Sequence, residues 1–315
     1  MARLLILGGS GFIGSNLITS LLNSGHIVTN FDRPGTSPIH FEKNSNYRFV
    51  PGSISDNSHL RNVFNQEPFD CIVHLVSSLI PSSGYDEFFA DRDINLTAGY
   101  EIVKNMMNNG CRKIIFFSSG GTVYGKNGKD INSETDALCP LNYYGYSKLA
   151  LEEFYRLSSR IHNINHIIIR PSNPYGTGQN LFGKQGLITV ALGRILQNKP
   201  IEIWGDGKVI RDYIHIQDLS KATNSLIESE AENQVFNIGS GIGHSVNEII
   251  EMIHEVTGND TGIEYKPSRP VDIPVNILSI DKITSATHWQ PSIKLKDGIT
   301  LLWNEMRLNA HQFNS

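Results

Sequence analysis

The chain has 315 residues, with 27 Lys and Arg against 31 Asp and Glu, and its formal net charge is −4. Hydrophobic residues make up 39% of the chain, which is enough to bury a core and excludes global disorder. The lack of a basic excess excludes a dedicated nucleic-acid binder. No apolar run reaches the roughly 18 residues of a membrane span, so we expect no membrane contact.

The cysteines and the N-terminal segment indicate the compartment. Cys71, Cys111 and Cys139 are odd in number and widely spaced, which excludes a disulfide framework and a CxxC metal site. The first apolar stretch, residues 4–7, is too short for a signal peptide and is followed at once by glycines. We therefore expect a cytoplasmic protein without a bound metal.

The first half of the chain alternates between short apolar runs and longer segments with helical spacing. Six runs have the composition of strands buried on both faces, at residues 4–7, 27–31, 47–50, 71–75, 113–117 and 166–169. Helical segments lie at 12–22, 59–65, 87–108 and 144–160. This alternation predicts an α/β fold with a doubly wound parallel sheet of the Rossmann type.

After residue 170 the pattern becomes less regular. Glycine and proline are more frequent, and helical spacing recurs at 186–197, 218–228, 246–256 and 279–287. We predict a Rossmann domain over 1–170, with a return segment near 210–240. A smaller α/β domain over 171–315 is predicted to bind the substrate.

A glycine pattern lies between the first strand and the first helix. Gly8, Gly11 and Gly14 form GxxGxxG in the strand–turn–helix context that a dinucleotide-binding motif requires. Glycines let the backbone approach a pyrophosphate, and the helix N-terminus that begins with Phe12 and Ile13 presents free N–H groups to it. The motif therefore predicts a bound dinucleotide.

The residues at the end of the second strand indicate which dinucleotide binds. Asp32 stands where an acid accepts the hydroxyls of an adenosine ribose and repels a 2′-phosphate. This favours NAD over NADP, although the neighbouring Arg33 weakens the preference. We predict NAD as the cofactor.

Tyr144 and Lys148 stand four residues apart and share one face of a predicted helix. A free tyrosine has a pKa near 10, and lowering it to about 7 takes roughly 4 kcal/mol of preference for the phenolate. One positive charge at ~4 Å in an effective dielectric near 20 supplies about that much. Lys148 with a cationic nicotinamide can thus make Tyr144 a base, although this spacing also occurs in ordinary helices.

Further motifs follow one another along nearly the whole chain. They are HLVS at 74–77, Asn95, SSGGTVYG at 118–125, RPSNPYG at 170–176, WGDG at 204–207, RDYIHIQD at 211–218, NIGSG at 237–241 and RPVD at 269–272. With the glycine turn and the Tyr144–Lys148 pair, they make the chain resemble the extended short-chain dehydrogenase/reductase family. Within it, the chain is similar to nucleotide-sugar epimerases of the UDP-glucose (UDP-galactose) 4-epimerase type.

The resemblance implies a role for each matching residue near the reaction. Tyr144 removes a proton from a sugar hydroxyl, while Lys148 holds the nicotinamide ribose and lowers the pKa of Tyr144. Asn95 lies near the cofactor, and Asn173 lies near the sugar. The implied cofactor contacts are completed by Ser53, Ile54, Leu75, Val76, Ser77, Ser118 and Pro171, and the substrate contacts near the sugar by Ser119 and Thr122.

The resemblance also implies a nucleotide clamp. Arg211 and Arg269 hold the diphosphate, since the guanidinium fork binds phosphate oxygens bidentately; salt bridges to Asp212 or Asp272 are the alternative. Asp272 contacts the nucleotide ribose or supports the clamp. Trp204 lies near the base, or else belongs to the core.

Two departures from the family pattern bear on the reaction. Most relatives have Ser or Thr where this chain has Gly120, and that hydroxyl helps to pass the proton. Residues two apart on a strand share a face, so Thr122 is the predicted substitute and Ser119 turns away; an ordered water is the alternative. Dehydratases of the family carry an Asp-Glu pair at Gly121 and Thr122, so 4,6-dehydration is not expected.

Ser53 replaces a common adenine-contacting acid, which we expect to weaken cofactor binding without abolishing it.

These features lead to one predicted function and two alternatives. We predict NAD-dependent epimerisation at C4 of a UDP-hexose through a transient 4-keto sugar. The alternatives are a 4-ketoreductase that makes a dTDP-deoxysugar and a non-catalytic NAD-binding protein. Surplus apolar positions on the helices at 87–108 and 144–160, which relatives pair in a four-helix interface, predict a homodimer.

Overall fold

The computed structural model describes residues 1–37, 41–183, 185–268 and 273–308. Its strands are β1 (Arg3–Leu7), β2 (Ile27–Asp32), β3 (Tyr47–Pro51), β4 (Cys71–His74), β5 (Lys113–Phe117), β6 (Ile131–Asn132), β7 (Asn165–Pro171), β8 (Asn173–Tyr175), β9 (Ile201–Trp204), β10 (Ile210–His215), β11 (Gln234–Ile238), β12 (Gly243–Ser245), β13 (Ile263–Lys266) and β14 (Val275–Leu278). Its helices are α1 (Phe12–Asn23), α2 (Asn57–Gln66), α3 (Tyr85–Asn109), α4 (Tyr143–His162), α5 (Leu187–Leu196), α6 (Ile216–Glu228), α7 (Val246–Thr257), α8 (Asp281–Thr287) and α9 (Leu295–Leu308). In these ranges no helix is both long and apolar enough to cross a bilayer.

The central sheet has seven parallel strands in the order β11-β7-β5-β4-β1-β2-β3. The chain leaves β1 toward β2 and β3, then crosses back to β4 on the other side of β1. The strand order therefore reverses between β1 and β4, and ligands of doubly wound folds bind in the crevice at the carboxyl ends of the strands at such a reversal. The predicted doubly wound α/β fold is confirmed.

Helices cover both faces of this sheet because the strand residues are apolar on both faces. Leu4 and Ile6 of β1 belong to one core cluster with residues of α1 and α6. Leu5 and Leu7 belong to a second cluster, with residues of α2, α3 and α4. A strand buried on both sides reads as a continuous apolar run, and this is why the sequence identified these strands.

The predicted elements agree with the structure, and the differences lie at their ends. The six predicted strands and eight predicted helices all occur, with ends that move by a few residues. Eight strands, β6 and β8–β14, had no predicted range, and neither did the helix α9, whose buried face carries Ile299, Leu302, Trp303 and Met306 at helical spacing. That spacing in the sequence could have predicted the helix.

The second half of the chain forms a sheet of its own and also contributes elements that pack against the first half. The strand order is β12-β10-β14-β6, with β8 on β10, and a further core cluster packs α5, α7 and α9 together. The segment at 216–238 returns: α6 packs on α1, and β11 pairs with β7 in the central sheet. The division into 1–170 and 171–315 stays a prediction.

A buried aspartate joins three segments of the second half. Asp212 of β10 accepts hydrogen bonds from the backbone N–H groups of Ser240, Gly241 and Leu278, at 2.8, 3.2 and 3.3 Å. The Ser240 hydroxyl donates a further bond of 2.7 Å. Asp212 is therefore occupied by backbone donors and is not the salt-bridge partner that the alternative interpretation of Arg211 required.

A buried ion pair joins α4 to the central sheet. Arg170 of β7 donates from Nε and Nη2 to the two carboxylate oxygens of Glu152 at 2.9 and 2.6 Å, and neither side chain is more than 1% exposed. Ser118 donates to the same carboxylate, and Arg170 Nη1 donates to Tyr124 Oη at 3.0 Å. The pair thus connects the end of β5, α4 and β7.

We predict that Arg170→Met lowers the free energy of unfolding by about 3–5 kcal/mol, because the buried Glu152 carboxylate loses its bidentate partner and keeps only Ser118 and the more distant Arg156. The control is Arg156→Met, whose half-buried guanidinium lies 3.5 Å from the same carboxylate; it should cost less than about 1 kcal/mol. Urea unfolding followed by circular dichroism measures both. Equal losses in the two variants would contradict a special role for Arg170.

Candidate active site

A cleft of about 1230 Å³ opens at the carboxyl ends of β1, β4 and β5 and extends over the second half of the chain. It therefore lies at the reversal of strand order. The predicted site residues that line it are Gly8, Gly11, Phe12, Ile13, Gly14, Leu75, Ser77, Ser118, Ser119, Thr122, Tyr144, Lys148, Pro171, Asn173, Trp204 and Arg211.

In the glycine turn, Gly14 has no space for a side chain, whereas Gly11 does. A Cβ on Gly14 would lie 2.5 Å from Gly9 Cα and 2.7 Å from Gly8 O, so the first turn of α1 packs directly on the strand–helix turn. A Cβ on Gly11 would meet only Gly8 O, at 3.6 Å. Gly11 is the N-cap of α1, has no side chain to bond the first N–H groups, and no acid follows in the first turn. The helix N-terminus is therefore available to an anion.

Asp32 ends β2 beside this turn. Its Oδ2 accepts a 2.9 Å hydrogen bond from Ser10 N, and its Oδ1 accepts one of 2.7 Å from Arg33 N. These bonds fix the carboxylate at the carboxyl end of the sheet, next to the residues that would hold a pyrophosphate. The geometry fits the ribose-binding role predicted for Asp32.

Tyr144 and Lys148 lie on the first turns of α4 and line the cleft. Lys148 Nζ donates to Phe117 O at 3.0 Å and lies 5.7 Å from the centre of the Tyr144 ring. Burial lowers the pKa of Lys148 to about 8, while Asp91 and then Glu152 act to raise it.

The pKa of Tyr144 is raised by burial, and hydrogen bonding by Ser119 offsets part of this effect. The prediction that Lys148, together with a cationic nicotinamide, lowers the pKa of Tyr144 stays a prediction, because burial of the phenol acts in the opposite direction. A further positive charge beside the phenol is needed to make it a base at neutral pH.

The hydroxyl groups near Tyr144 differ from the predicted arrangement. Because β5 ends at Phe117, strand alternation does not continue, and Ser119 lies beside Tyr144 instead of turning away. Gly120 does not line the cleft: a Cβ there would lie 2.6 Å from Leu278 Cδ1 and 3.0 Å from two backbone oxygens. Thr122 lines the cleft, and its buried Oγ1 has no hydrogen-bond partner in the described ranges.

Comparisons with known proteins agree with this geometry. The model of the NAD dependent epimerase/dehydratase family matches residues 4–239. A dTDP-4-dehydro-6-deoxyglucose reductase of Escherichia coli is 36% identical over 309 residues, covering 96% of this chain and 97% of that protein. A putative UDP-glucose 4-epimerase of Methanocaldococcus jannaschii is 33% identical over 307 residues, covering 97% and 99%.

A solved structure extends the likeness to the fold. The crystal structure of a UDP-glucose 4-epimerase from Thermotoga maritima, with UDP-glucose, has a TM-score of 0.91 at 29% identity, covering 98% of this chain and 99% of that one. The chain belongs to the NAD dependent epimerase/dehydratase family. The predicted place among extended short-chain dehydrogenases/reductases is confirmed.

Membership of this epimerase/dehydratase family makes NAD the cofactor, as predicted. The residues present fit NAD. Gly11 has free space beside it and the N-terminus of α1 has no side-chain cap, so both can face a pyrophosphate. Asp32 lies at the end of β2, where it would bind the adenosine ribose. Lys148 lies at the other end of the same cleft wall.

Other predicted site residues lie behind the cleft wall or outside the described ranges. Val76 packs against Gly8, at 2.9 Å from the Cβ that Gly8 lacks. Ser53 bonds Ser55, Ile54 is buried, and Asn95 is buried on α3. The remaining two predicted residues, Arg269 and Asp272, lie outside the described residues.

Several residues of the cleft wall are not among the predicted site residues. They include residues 79–82, Gln179, Arg194, Glu202 and Tyr213. Tyr213 had a signal, since it stands two residues after Arg211 on β10 and so shares its face. Arg194 and Glu202 form a 3.1 Å salt bridge between α5 and the next strand, a tertiary contact that no local spacing indicates.

We predict opposite outcomes for two glycine substitutions. Gly14→Ala should destabilise the protein by about 1–3 kcal/mol, because the added methyl group has no space against the Gly9 backbone. Gly11→Ala should leave the unfolding midpoint nearly unchanged and weaken NAD binding about tenfold or more, because its methyl group stands in the exposed cleft wall. Thermal unfolding and calorimetric NAD titration measure the two effects. Unchanged NAD affinity in Gly11→Ala would contradict the assignment of this turn.

Proposed function

We propose that this protein is an NAD-dependent nucleotide-sugar epimerase, an isomerase, acting at C4 of a UDP-hexose in the cytoplasm. The observation that carries the proposal is the Tyr144–Lys148 pair at the end of a cleft that begins at the glycine turn. A sugar held beside Tyr144 would have its reacting carbon next to the nicotinamide end of that cleft. The names of the Methanocaldococcus and Thermotoga proteins support this reaction and this substrate class.

The chemistry of the cleft wall argues against 4,6-dehydration. Elimination of water from C5–C6 needs a positioned acid and base, and Gly121 and Thr122 stand where dehydratases carry them. Among the described lining residues Glu202 is the one carboxylate, and it belongs to β9 in the second half. The wall near Tyr144 therefore offers hydroxyl groups and no carboxylate.

In the proposed mechanism Tyr144 takes the proton of the sugar C4 hydroxyl and later returns it. When bound, NAD would supply the hydride acceptor and donor, and its oxidised nicotinamide would carry a positive charge. Lys148, anchored on Phe117 O, holds its ammonium beside Tyr144 and stabilises the phenolate. Ser119 offers a hydroxyl next to Tyr144, while the Thr122 Oγ1 on the same wall is buried.

The other end of the substrate would be held by the second half of the chain. Asn173 donates to Asp212 O at 2.8 Å, which fixes its amide at the cleft wall near the sugar. Arg211 is anchored on Ile273 O at 2.7 Å and faces the cleft, where its guanidinium would hold the diphosphate. Trp204 lines the cleft with 43% of its surface exposed, which suits stacking on a base. We propose Arg269 and Asp272 as further contacts.

A 4-ketoreductase is the second candidate. The 36% identity to the Escherichia coli dTDP-4-dehydro-6-deoxyglucose reductase favours it, and it would use the same Tyr144 and Lys148. The two functions differ in cofactor turnover, because an epimerase returns the hydride to its product and a reductase consumes it.

A substrate panel tests the proposal. The enzyme is incubated with UDP- and dTDP-hexoses, their N-acetyl forms and dTDP-4-keto-6-deoxy sugars, with and without added NAD(H), and products are identified by NMR. We expect interconversion of C4 epimers of a UDP-hexose without net change in NADH. Stoichiometric NADH oxidation with a keto sugar, and no epimerisation, would establish the reductase instead.

We predict that Tyr144→Phe lowers turnover by about 10²–10⁴-fold, the range for loss of a positioned acid–base group. Folding and NAD binding should survive because the ring remains. Ser119→Ala should lower turnover less, and Thr122→Val less again, since Ser119 hydrogen-bonds Tyr144 and the buried Thr122 Oγ1 has no hydrogen-bond partner in the described ranges. Because these groups serve one proton path, losses in double variants should be less than multiplicative. Appreciable turnover in Tyr144→Phe would refute the mechanism.

We also propose a homodimer through α3 and α4, which pack side by side. Their outer faces expose large apolar side chains that a monomer rarely leaves together in water. These are Leu96, Tyr100 and Met107 on α3, and Leu157 and Ile161 on α4.

The dimer predicts a light-scattering mass near twice the 35.1 kDa of the chain at micromolar concentration. Leu157→Asp should shift the protein toward one chain, because it buries a charge in the contact. The control is Leu301→Asp on α9, which is similarly exposed and should leave the mass unchanged. A single-chain mass for the unaltered protein would contradict the proposal.

A further inference from the structure

The described part of the cleft wall contains a single carboxylate, that of Glu202 on β9. A cleft that takes a diphosphate should disfavour an acid in its wall, because like charges repel each other strongly where water is partly excluded. An acid in this place therefore needs a compensating positive charge, and it also offers an acceptor to the ligand.

Arg194, in the last turn of α5, supplies the compensating charge. Its Nη2 lies 3.1 Å from Glu202 Oε1, and its Nε donates to the backbone oxygen of Pro200 just before β9. The two side chains are 27% and 35% exposed and both line the cleft. The pair is thus neutral as a whole, and it holds the Glu202 carboxylate in one orientation beside the ligand space.

Glu202 shares one face of β9 with Trp204. Ile201 and Ile203 of this strand are buried in the core of the second half, whereas Glu202 is half-buried and Trp204 is exposed. Residues two apart on a strand are separated by roughly 6.6 Å along it. A base stacked on Trp204 would therefore have its own ribose within reach of the Glu202 carboxylate.

The chemistry of the carboxylate selects the group that it binds. A carboxylate only accepts hydrogen bonds, and Arg194 occupies Oε1 of Glu202, which leaves Oε2 for a donor. The N3–H of a uracil or thymine ring lies between two carbonyl oxygens, which would repel the acid. The ribose hydroxyls have no such neighbours and donate strongly to a charged acceptor. Of these hydroxyls, the one at C2′ is nearer to the base.

We propose that Glu202 is a specificity-determining residue for the nucleotide: its carboxylate, held by Arg194, accepts a hydrogen bond from the ribose 2′-hydroxyl. The cleft then favours a ribonucleotide over its 2′-deoxy counterpart, and so a UDP-sugar over a dTDP-sugar. This inference rests on the proposed function, and it names the nucleotide class that the same site would take.

The test compares the binding of UDP and 2′-deoxy-UDP to the full-length, NAD-bound protein by calorimetric titration. The two ligands differ only in the 2′-hydroxyl, and neither carries a hexose. We expect UDP to bind about tenfold more tightly, as for one hydrogen bond to a charged group. Glu202→Met keeps the length of the side chain without an acceptor, and it should bring the ratio of the two affinities close to one by weakening UDP. Glu202→Gln keeps a neutral acceptor and should give an intermediate ratio.

The matched control is Glu264→Met. Glu264 stands directly opposite Glu202 on β13, but it is exposed and is not among the described residues that line the cleft. This variant should keep the tenfold ratio. Thermal unfolding checks that each variant is folded, and if Glu202→Met is not, Glu202→Gln against Glu264→Gln carries the same comparison.

Two results overturn the inference. One is equal binding of UDP and 2′-deoxy-UDP by the unaltered protein. The other is a ratio that the loss of the Glu202 carboxylate leaves unchanged. If that loss weakens both ligands equally, the carboxylate meets the base and the assignment to the 2′-hydroxyl is wrong.

The titration needs no turnover, so the inference and the proposed function fail separately. If the substrate panel shows epimerisation of a UDP-hexose and the affinity ratio is one, only the inference fails. If no sugar is epimerised, the proposed function fails, while the ratio still decides the role of Glu202. If neither nucleotide binds, the inference fails and the panel alone decides the function.

Discussion

The buried ion pair between Glu152 and Arg170 is the contact on which the geometry of the site depends. Glu152 lies one helical turn after Lys148, so the bidentate bond to β7 holds α4 at the strand end where the cleft opens. Ser118 joins the same carboxylate and brings in the end of β5. Arg170 in turn reaches Tyr124, whose hydroxyl donates to Asn237 of β11 at 2.7 Å. One charge pair therefore connects the helix with the reactive side chains to three strand ends.

Burial also affects the charge state of the site. Arg170 neutralises Glu152 inside the core, and the Lys148 ammonium donates to Phe117 O. Burial disfavours both the Lys148 ammonium and the Tyr144 phenolate, so each needs a further charge to be used at neutral pH. For Tyr144, the positively charged nicotinamide of bound NAD would supply it.

The glycines near the cleft differ in how much space surrounds each of them. Gly14 has no room for a side chain because α1 packs on the turn, whereas Gly11 faces the cleft. Gly120 faces the core near Leu278, so its missing hydroxyl is no loss to the cleft wall. Ser119 is the hydroxyl that the wall provides beside Tyr144. The reason is local: β5 ends at Phe117, and the turn that follows reverses which side chains face inward.

The sequence by itself determined the fold class and the cofactor, and it predicted the elements on which the glycine turn, Asp32 and the Tyr144–Lys148 pair lie. These features are local: a strand buried on both faces reads as an apolar run, and residues four apart on a helix share a face. Only the tertiary structure decided that Ser119 lies next to Tyr144, that Arg170 pairs with Glu152, and that Arg194 and Glu202 line the cleft. Such contacts join residues distant in sequence, and a buried charge is balanced by whichever group the packing brings near it.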